Sequence, residues 1–122
     1  MQLSLGLWKY DPDTKMLTNK RIDWEFQSSP WILPKEGKDG GYIEDSSGHV
    51  LSPKDGATKF DTSVILDSKN ASVTDDQNWI RGKADNQGYF TLQNSRSDRF
   101  LIARSTTETV IAGKTITYIY TL

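Results

Sequence analysis

Three times along the chain a tryptophan opens a short apolar segment, which leads through a polar turn to an apolar residue, a spacer and an Asn or Asp. The copies run from Trp8 to Leu17-Thr18-Asn19, from Trp31 to Ile43-Glu44-Asp45 and from Trp79 to Leu92-Gln93-Asn94. A unit this short cannot bury an indole by itself, so a chain built this way must pack its copies against one another around a shared core. The second and third copies are each followed by two further apolar runs, Val50-Leu51-Ser52 with Val64-Ile65-Leu66, and Phe100-Leu101-Ile102-Ala103 with Val110-Ile111-Ala112. The first copy is compressed. Trp8 and Trp31 are 23 positions apart against 48 for Trp31 and Trp79, so one strand around Ile22 to Phe26 must stand where the others have two.

Short apolar runs divided by turn signals specify strands rather than helices. Twelve are expected: Ser4 to Tyr10, Lys15 to Asn19, Asp23 to Gln27, Trp31 to Leu33, Gly41 to Glu44, Val50 to Ser52, Ser63 to Asp67, Asn78 to Gly82, Tyr89 to Gln93, Phe100 to Arg104, Thr109 to Ala112 and Ile116 to Tyr120. Between them, Asp11-Pro12-Asp13, Lys38-Asp39-Gly40-Gly41, Ser46-Ser47-Gly48, Pro53-Lys54-Asp55-Gly56 and Asp85-Asn86-Gln87-Gly88 carry residues that accept positive φ or close an Asx turn. The expectation is an all-β chain of 122 residues forming a single domain. Threefold repetition of a four-strand unit further suggests a β-trefoil of about twelve short strands with a shortened first repeat.

A formal charge of −1 provides no general field for a polyanion, so nucleic acid is not an expected partner. No apolar run approaches the roughly 20 residues of a membrane span, and the segment from Met1 to Leu7 is too short for a signal-peptide core. The absence of cysteine favours a reducing compartment, which makes the cytoplasm the expected location and leaves secretion as the alternative. Asn70-Ala71-Ser72 is a glycosylation sequon, a triplet common enough by chance to carry little weight.

Gln77-Asn78-Trp79, in register with the other tryptophan-led copies, resembles the QxW element of the ricin B-type β-trefoil lectins. The preceding order, Gly48-His49-Val50-Leu51 and then Ser63-Val64-Ile65-Leu66, is similar to the strand order of that family. The resemblance implies a carbohydrate-binding module, without cofactor or catalysis, whose partner is a glycan or glycoconjugate. In that family sugar is held by an Asp after the second strand of a repeat, an aromatic near the third, and an Asn or Gln before the QxW tryptophan. Here the Asp positions read Ser52 and Ala103, and no aromatic follows Val64-Ile65-Leu66. Asp76 and Gln77 are the residues that carry over. Trp24, flanked by Asp23 and Glu25, is the candidate stacking ring, although alternation with Ile22 and Phe26 on one face favours core for it. Ligand binding is therefore assigned to Asp76, Gln77 and Trp24. Phe100-Leu101-Ile102-Ala103, following a strand and turn, is also similar to fascin-like trefoils, so a protein-interaction module is the alternative, and a trefoil protease inhibitor using the loop from Pro53 to Thr62 is another.

Catalysis finds little footing. His49 is the sole histidine and follows Ser47-Gly48 in a tight turn, with no G-x-S-x-G sequence to present a nucleophile. One His without Cys provides no transition-metal cluster, and Asp11-Pro12-Asp13 and Asp75-Asp76 lack the spacing of a calcium loop. Arg96, Arg99 and Arg104 form a small basic cluster, read as a solvated turn rather than a phosphate site.

Overall fold

The computed structural model describes residues 6–20, 24–25, 30–59, 62–72, 74–102, 109–111, 114–116 and 119–121. Among these the chain is all-β, with short antiparallel strands and a 3-10 turn at Lys54–Gly56. The strands are β1 (Trp8–Asp11), β2 (Met16–Asn19), β3 (Trp24–Glu25), β4 (Val50–Pro53), β5 (Thr62–Asp67), β6 (Trp79–Arg81), β7 (Leu92–Asn94), β8 (Phe100–Ile102), β9 (Thr109–Ile111), β10 (Lys114–Ile116) and β11 (Ile119–Thr121). They form a sheet in the order β1-β2-β3, a two-stranded sheet of β9 and β10, and a six-stranded sheet in the order β4-β5-β11-β8-β7-β6.

The repeat read from the sequence is a structural repeat. Trp8 pairs across its hairpin with Asn19, and Trp79 with Asn94. The bridge between Ile32 and Glu44 sets the second hairpin in the same register, with Trp31 beside Asp45. All three indoles are fully buried, as are Leu17, Ile43 and Leu92. The hairpins then exchange backbone hydrogen bonds in a closed circuit. Trp8 and Phe90 bond each other in both directions at 2.9 Å, as do Trp79 and Gly41 at 2.8 and 3.1 Å, and the Trp31 N–H donates to the Lys15 carbonyl at 2.9 Å. Phe90, Gly41 and Lys15 each lie two residues before the apolar residue of their own hairpin, so first holds third, third holds second and second holds first. Two buried indole N–H groups, which need partners, complete this pattern: Trp8 Nε1 donates to the Leu101 carbonyl at 2.9 Å and Trp79 Nε1 to the Leu51 carbonyl at 3.0 Å.

Close approach at one of these joints requires glycine. Gly40 has φ of 70°, and a Cβ there would lie 2.7 Å from the Asn78 side chain and 2.8 Å from the Trp79 carbonyl oxygen. The turns are built from their own aspartates. Asp45 Oδ1 accepts the N–H groups of Ser47 and His49, and Asp85 Oδ1 those of Gln87 and Tyr89, all at 2.9 Å. Gly48 and Gly88 take the left-handed position in each, with φ of 87° and 91°.

Three sequence expectations differ from the structure. Trp31 to Leu33 and Gly41 to Glu44 are not strands; they meet in isolated bridges, Ile32 with Glu44, Gly41 with Trp79 and Glu44 with Val50. Pro34, buried just beyond the first bridge, has no N–H with which to extend the pairing. The run from Ile116 to Tyr120 is divided because its parts serve different partners: β10 pairs with β9, whereas β11 pairs with β5 and β8. The start expected at Ser4 falls outside the described residues, and the strand itself begins at Trp8.

Removing a ring from this core is costly. Trp79→Ala is expected to lower stability by about 3 to 5 kcal/mol in chemical denaturation; a loss below about 1 kcal/mol would mean that the circuit does not depend on the ring. The turn carboxylates make a second expectation. Backbone N–H donors, from Tyr89 and Gln87 to Asp85 and from Asp13 and Thr14 to Asp11, hold both pKa values below the ordinary 3.8. A carboxyl depressed in the folded state adds stability above its unfolded pKa and loses it as pH falls through the folded one. The melting temperature should therefore fall below about pH 4, and less steeply in Asp11→Asn/Asp85→Asn, which keeps the acceptors without the titration; identical curves would contradict this origin.

Candidate functional site

The four residues of the QxW segment all point their bonding into the chain. Gln77 is buried; its amide nitrogen donates to the Ser68 carbonyl at 2.9 Å and its oxygen accepts the Asn70 N–H at 3.1 Å. Asn78 Nδ2 donates to Ser95 Oγ at 2.7 Å, and Trp79 is core. Asp76, with its side chain one-fifth exposed, accepts the Thr74 hydroxyl on Oδ1, and its carbonyl accepts Asn94 Nδ2 at 3.0 Å. Gln77 thus has both ends of its amide engaged by backbone, whereas Asp76 is engaged through its Oδ1 and its carbonyl. Trp24 sits in β3 opposite Asn19, and its side chain lies outside the described residues. No pairing joins the segments that carry Asp76 and Trp24 among the described strands.

Arginines beside this segment are straps. Arg96 binds the Asp75 carboxylate through Nε and NH2 at 2.9 and 2.8 Å and reaches the Gly56 carbonyl at 3.4 Å; Arg99 Nε donates to the Thr58 carbonyl at 2.8 Å. Together they tie down residues 56–58, within the loop that an inhibitor reading would need to protrude. Arg104 lies outside the described residues. The Ser, His and Asp of the second hairpin also meet, but in the wrong order for catalysis. Ser47 Oγ lies between Asp45 Oδ1, at 2.8 Å, and His49 Nδ1, at 2.7 Å, whereas a triad places the imidazole between hydroxyl and carboxylate. Among the described residues no group of three or more His, Asp or Glu is placed to hold a metal ion.

An open groove of about 380 Å³ lies on the first hairpin, lined by Lys9, Tyr10, Asp11, Pro12, Met16 and Thr18. Strand alternation explains its composition. Trp8, Leu17 and Asn19 face the core, so the cross-strand pairs Lys9 with Thr18 and Asp11 with Met16 face outward. Tyr10 forms the wall and is fixed in place, its hydroxyl donating to the Trp31 carbonyl at 2.6 Å; burial pushes its pKa up, which keeps that proton in place. The groove therefore offers an ammonium, a carboxylate and a hydroxyl around the apolar surface of Met16, Pro12 and the tyrosine.

The same face continues into the third hairpin. Lys9 Nζ and Lys20 Nζ lie 5.4 and 4.8 Å from the centre of the Tyr89 ring, and Lys20 approaches Gln87 Oε1 at 3.5 Å. None of these residues belongs to the QxW motif. Alternation along β1 and β2 is the signal that could have found the hairpin face, and Tyr89 stands out because the other two copies have Thr14 and Gly40 in its place. No family model, known protein or solved structure matches the chain.

The bonding around Gln77 supports a direct test. Gln77→Leu keeps the volume but strands the Ser68 carbonyl and Asn70 N–H, and should cost about 1 to 3 kcal/mol in a denaturation experiment. A change within about 0.5 kcal/mol would release the amide for another role.

Proposed function

We propose that the chain is a non-catalytic glycan-recognition module on a β-trefoil scaffold. The closed circuit of three tryptophan-led hairpins supports the scaffold, since mutual bonding of three equivalent units is what a threefold barrel cap needs. The groove on the first hairpin carries the functional reading. Its volume falls in the roughly 300 to 1,000 Å³ range of small-molecule sites, and its lining suits a ligand with an apolar ring face and many hydroxyls. A sugar laid there would place its C–H face against Met16 and the Tyr10 wall. Its hydroxyls would donate to the Asp11 carboxylate and exchange hydrogen bonds with Thr18, leaving Lys9 to donate to a ring or hydroxyl oxygen.

Asp11 is suited to this because it is an exposed carboxylate fixed at the groove edge, its Oδ1 accepting the N–H groups of Asp13 and Thr14. Depression of its pKa keeps it an acceptor at neutral pH. The motif-matched pair, Asp76 with Gln77, is the other place where a glycan could bind, with Trp24 as its platform, and a protein partner remains the second reading of the same module.

A glycan array on the purified chain, followed by isothermal titration against a bound glycan, tests the proposal. Thr18→Val should weaken binding by about 0.5 to 1.5 kcal/mol and Asp11→Ala by about 1.5 to 3 kcal/mol, whereas Asp76→Asn should leave affinity unchanged. Loss of binding in Asp76→Asn with full binding in both groove variants would move the site to the QxW segment. An array without any bound glycan would reject carbohydrate recognition.

A further inference from the structure

The outer face of the first hairpin is electrically lopsided. At the turn end lies Asp11, and at the other end Lys9 and Lys20 converge on the ring of Tyr89. Lys9 pairs with Thr18, two residues before Lys20, so the two lysines are diagonal neighbours on one face of the hairpin. Lys9 leans along the face toward the third hairpin, where its Cε would lie 3.5 Å from a Cβ built on Gly88. The lysine side chains do not drift freely. Tyr89 attracts both ammonium groups through its ring, and Gln87 Oε1 lies 3.5 Å from that of Lys20.

Other charged groups at that end come from the 85–89 turn. Asp85 feels Lys20 and has its carboxylate bonded to the N–H groups of Tyr89 and Gln87. It therefore offsets part of one lysine's charge while spending its own acceptor atom on backbone. Lys9 forms no ion pair within 4.0 Å among the described residues, leaving three N–H donors held over an aromatic ring at the edge of the groove. A neutral sugar would take a hydrogen bond from Lys9 but leave the charge of the lysine pair unmatched.

From this polarity we propose that the groove selects a sugar bearing an anionic group, a carboxylate or a sulfate. The anion accepts hydrogen bonds from Lys9 and Lys20 beside Tyr89 while the hydroxyls on the far side of the ring donate to Asp11. The proposal rests on the glycan reading above and adds to it a chemical class and two residues, Lys20 and Tyr89, that lie outside the groove lining. Charge-assisted hydrogen bonds are roughly twice as strong as neutral ones, so the anionic end dominates selectivity. Because the lysines are solvent-facing, the preference must also weaken with salt.

The experiment compares acidic glycans with their neutral counterparts on one array, sialylated, uronate and sulfated members each beside its uncharged form, followed by titration with the best pair in low and high salt. The acidic member should bind at least about tenfold more tightly, and the margin should shrink at high salt. Lys20→Gln, which changes a residue outside the groove lining, should lose about fivefold for the acidic member and little for the neutral one, with an unchanged melting temperature, while Lys20→Arg retains the preference. Equal binding of both members, or a preference that survives in the glutamine variant, overturns the acidic-sugar assignment and leaves glycan recognition standing. Binding of neither member overturns both.

Discussion

Everything in this molecule depends on the exchange of backbone hydrogen bonds at the three tryptophans. Each hairpin is too small to cover its own indole, and an isolated two-stranded hairpin is marginal in water. By bonding Trp8 to Phe90, Trp79 to Gly41 and Trp31 to Lys15, the chain turns three weak units into one closed body in which each supplies what another lacks. The indole N–H groups of Trp8 and Trp79 bind carbonyls of the neighbouring copy, so burial of the rings and satisfaction of their polar atoms are achieved together. The contacts are far apart in sequence, 93 positions for Trp8 with Leu101, and such closure gains its reward late and all at once. Cooperative loss of the whole body is the natural consequence of breaking any joint.

This constraint separates the residues that hold the fold from those free to bind. Asn94 spends its amide on the Asp76 carbonyl and on the N–H groups of the following turn, and Asp45 spends its carboxylate likewise. Gln77 anchors residues 68 and 70. Polar side chains near the circuit are thus largely consumed by backbone groups that the short strands leave without ladder partners, as buried polar atoms must be. Outward positions of the hairpins have no such duty. On the first hairpin they combine opposite charges, a hydroxyl and a thioether beside a fixed tyrosine, and that is where recognition chemistry is available.

Sequence alone revealed the inward half of this design. The period of Trp, apolar residue and Asn or Asp marked the three tryptophans as core, and the turn signals announced Ser46 to Gly48 and Asp85 to Gly88. The partners across the joints were not legible, because Phe90, Gly41 and Lys15 share a position in the repeat but no chemistry. Trp31 to Leu33 read as a strand because its apolar pattern is genuine; the missing N–H of Pro34 limits it to one bridge. The candidate site was harder still. A motif known for binding drew notice to Asp76 and Gln77, whereas the groove arises from residues of one hairpin, and Tyr89, about seventy to eighty positions away, is brought alongside Lys9 and Lys20 only by the closed circuit.

The proposed recognition site is the outer face of the first hairpin rather than the QxW segment. A two-dimensional amide NMR titration of the folded chain with an acidic glycan bound on the array reads both places in one experiment. The amides of residues 9–20 and 87–89 should shift in a saturable manner while those of residues 74–79 stay fixed. Shifts centred on residues 74–79, with the first hairpin silent, would contradict the account.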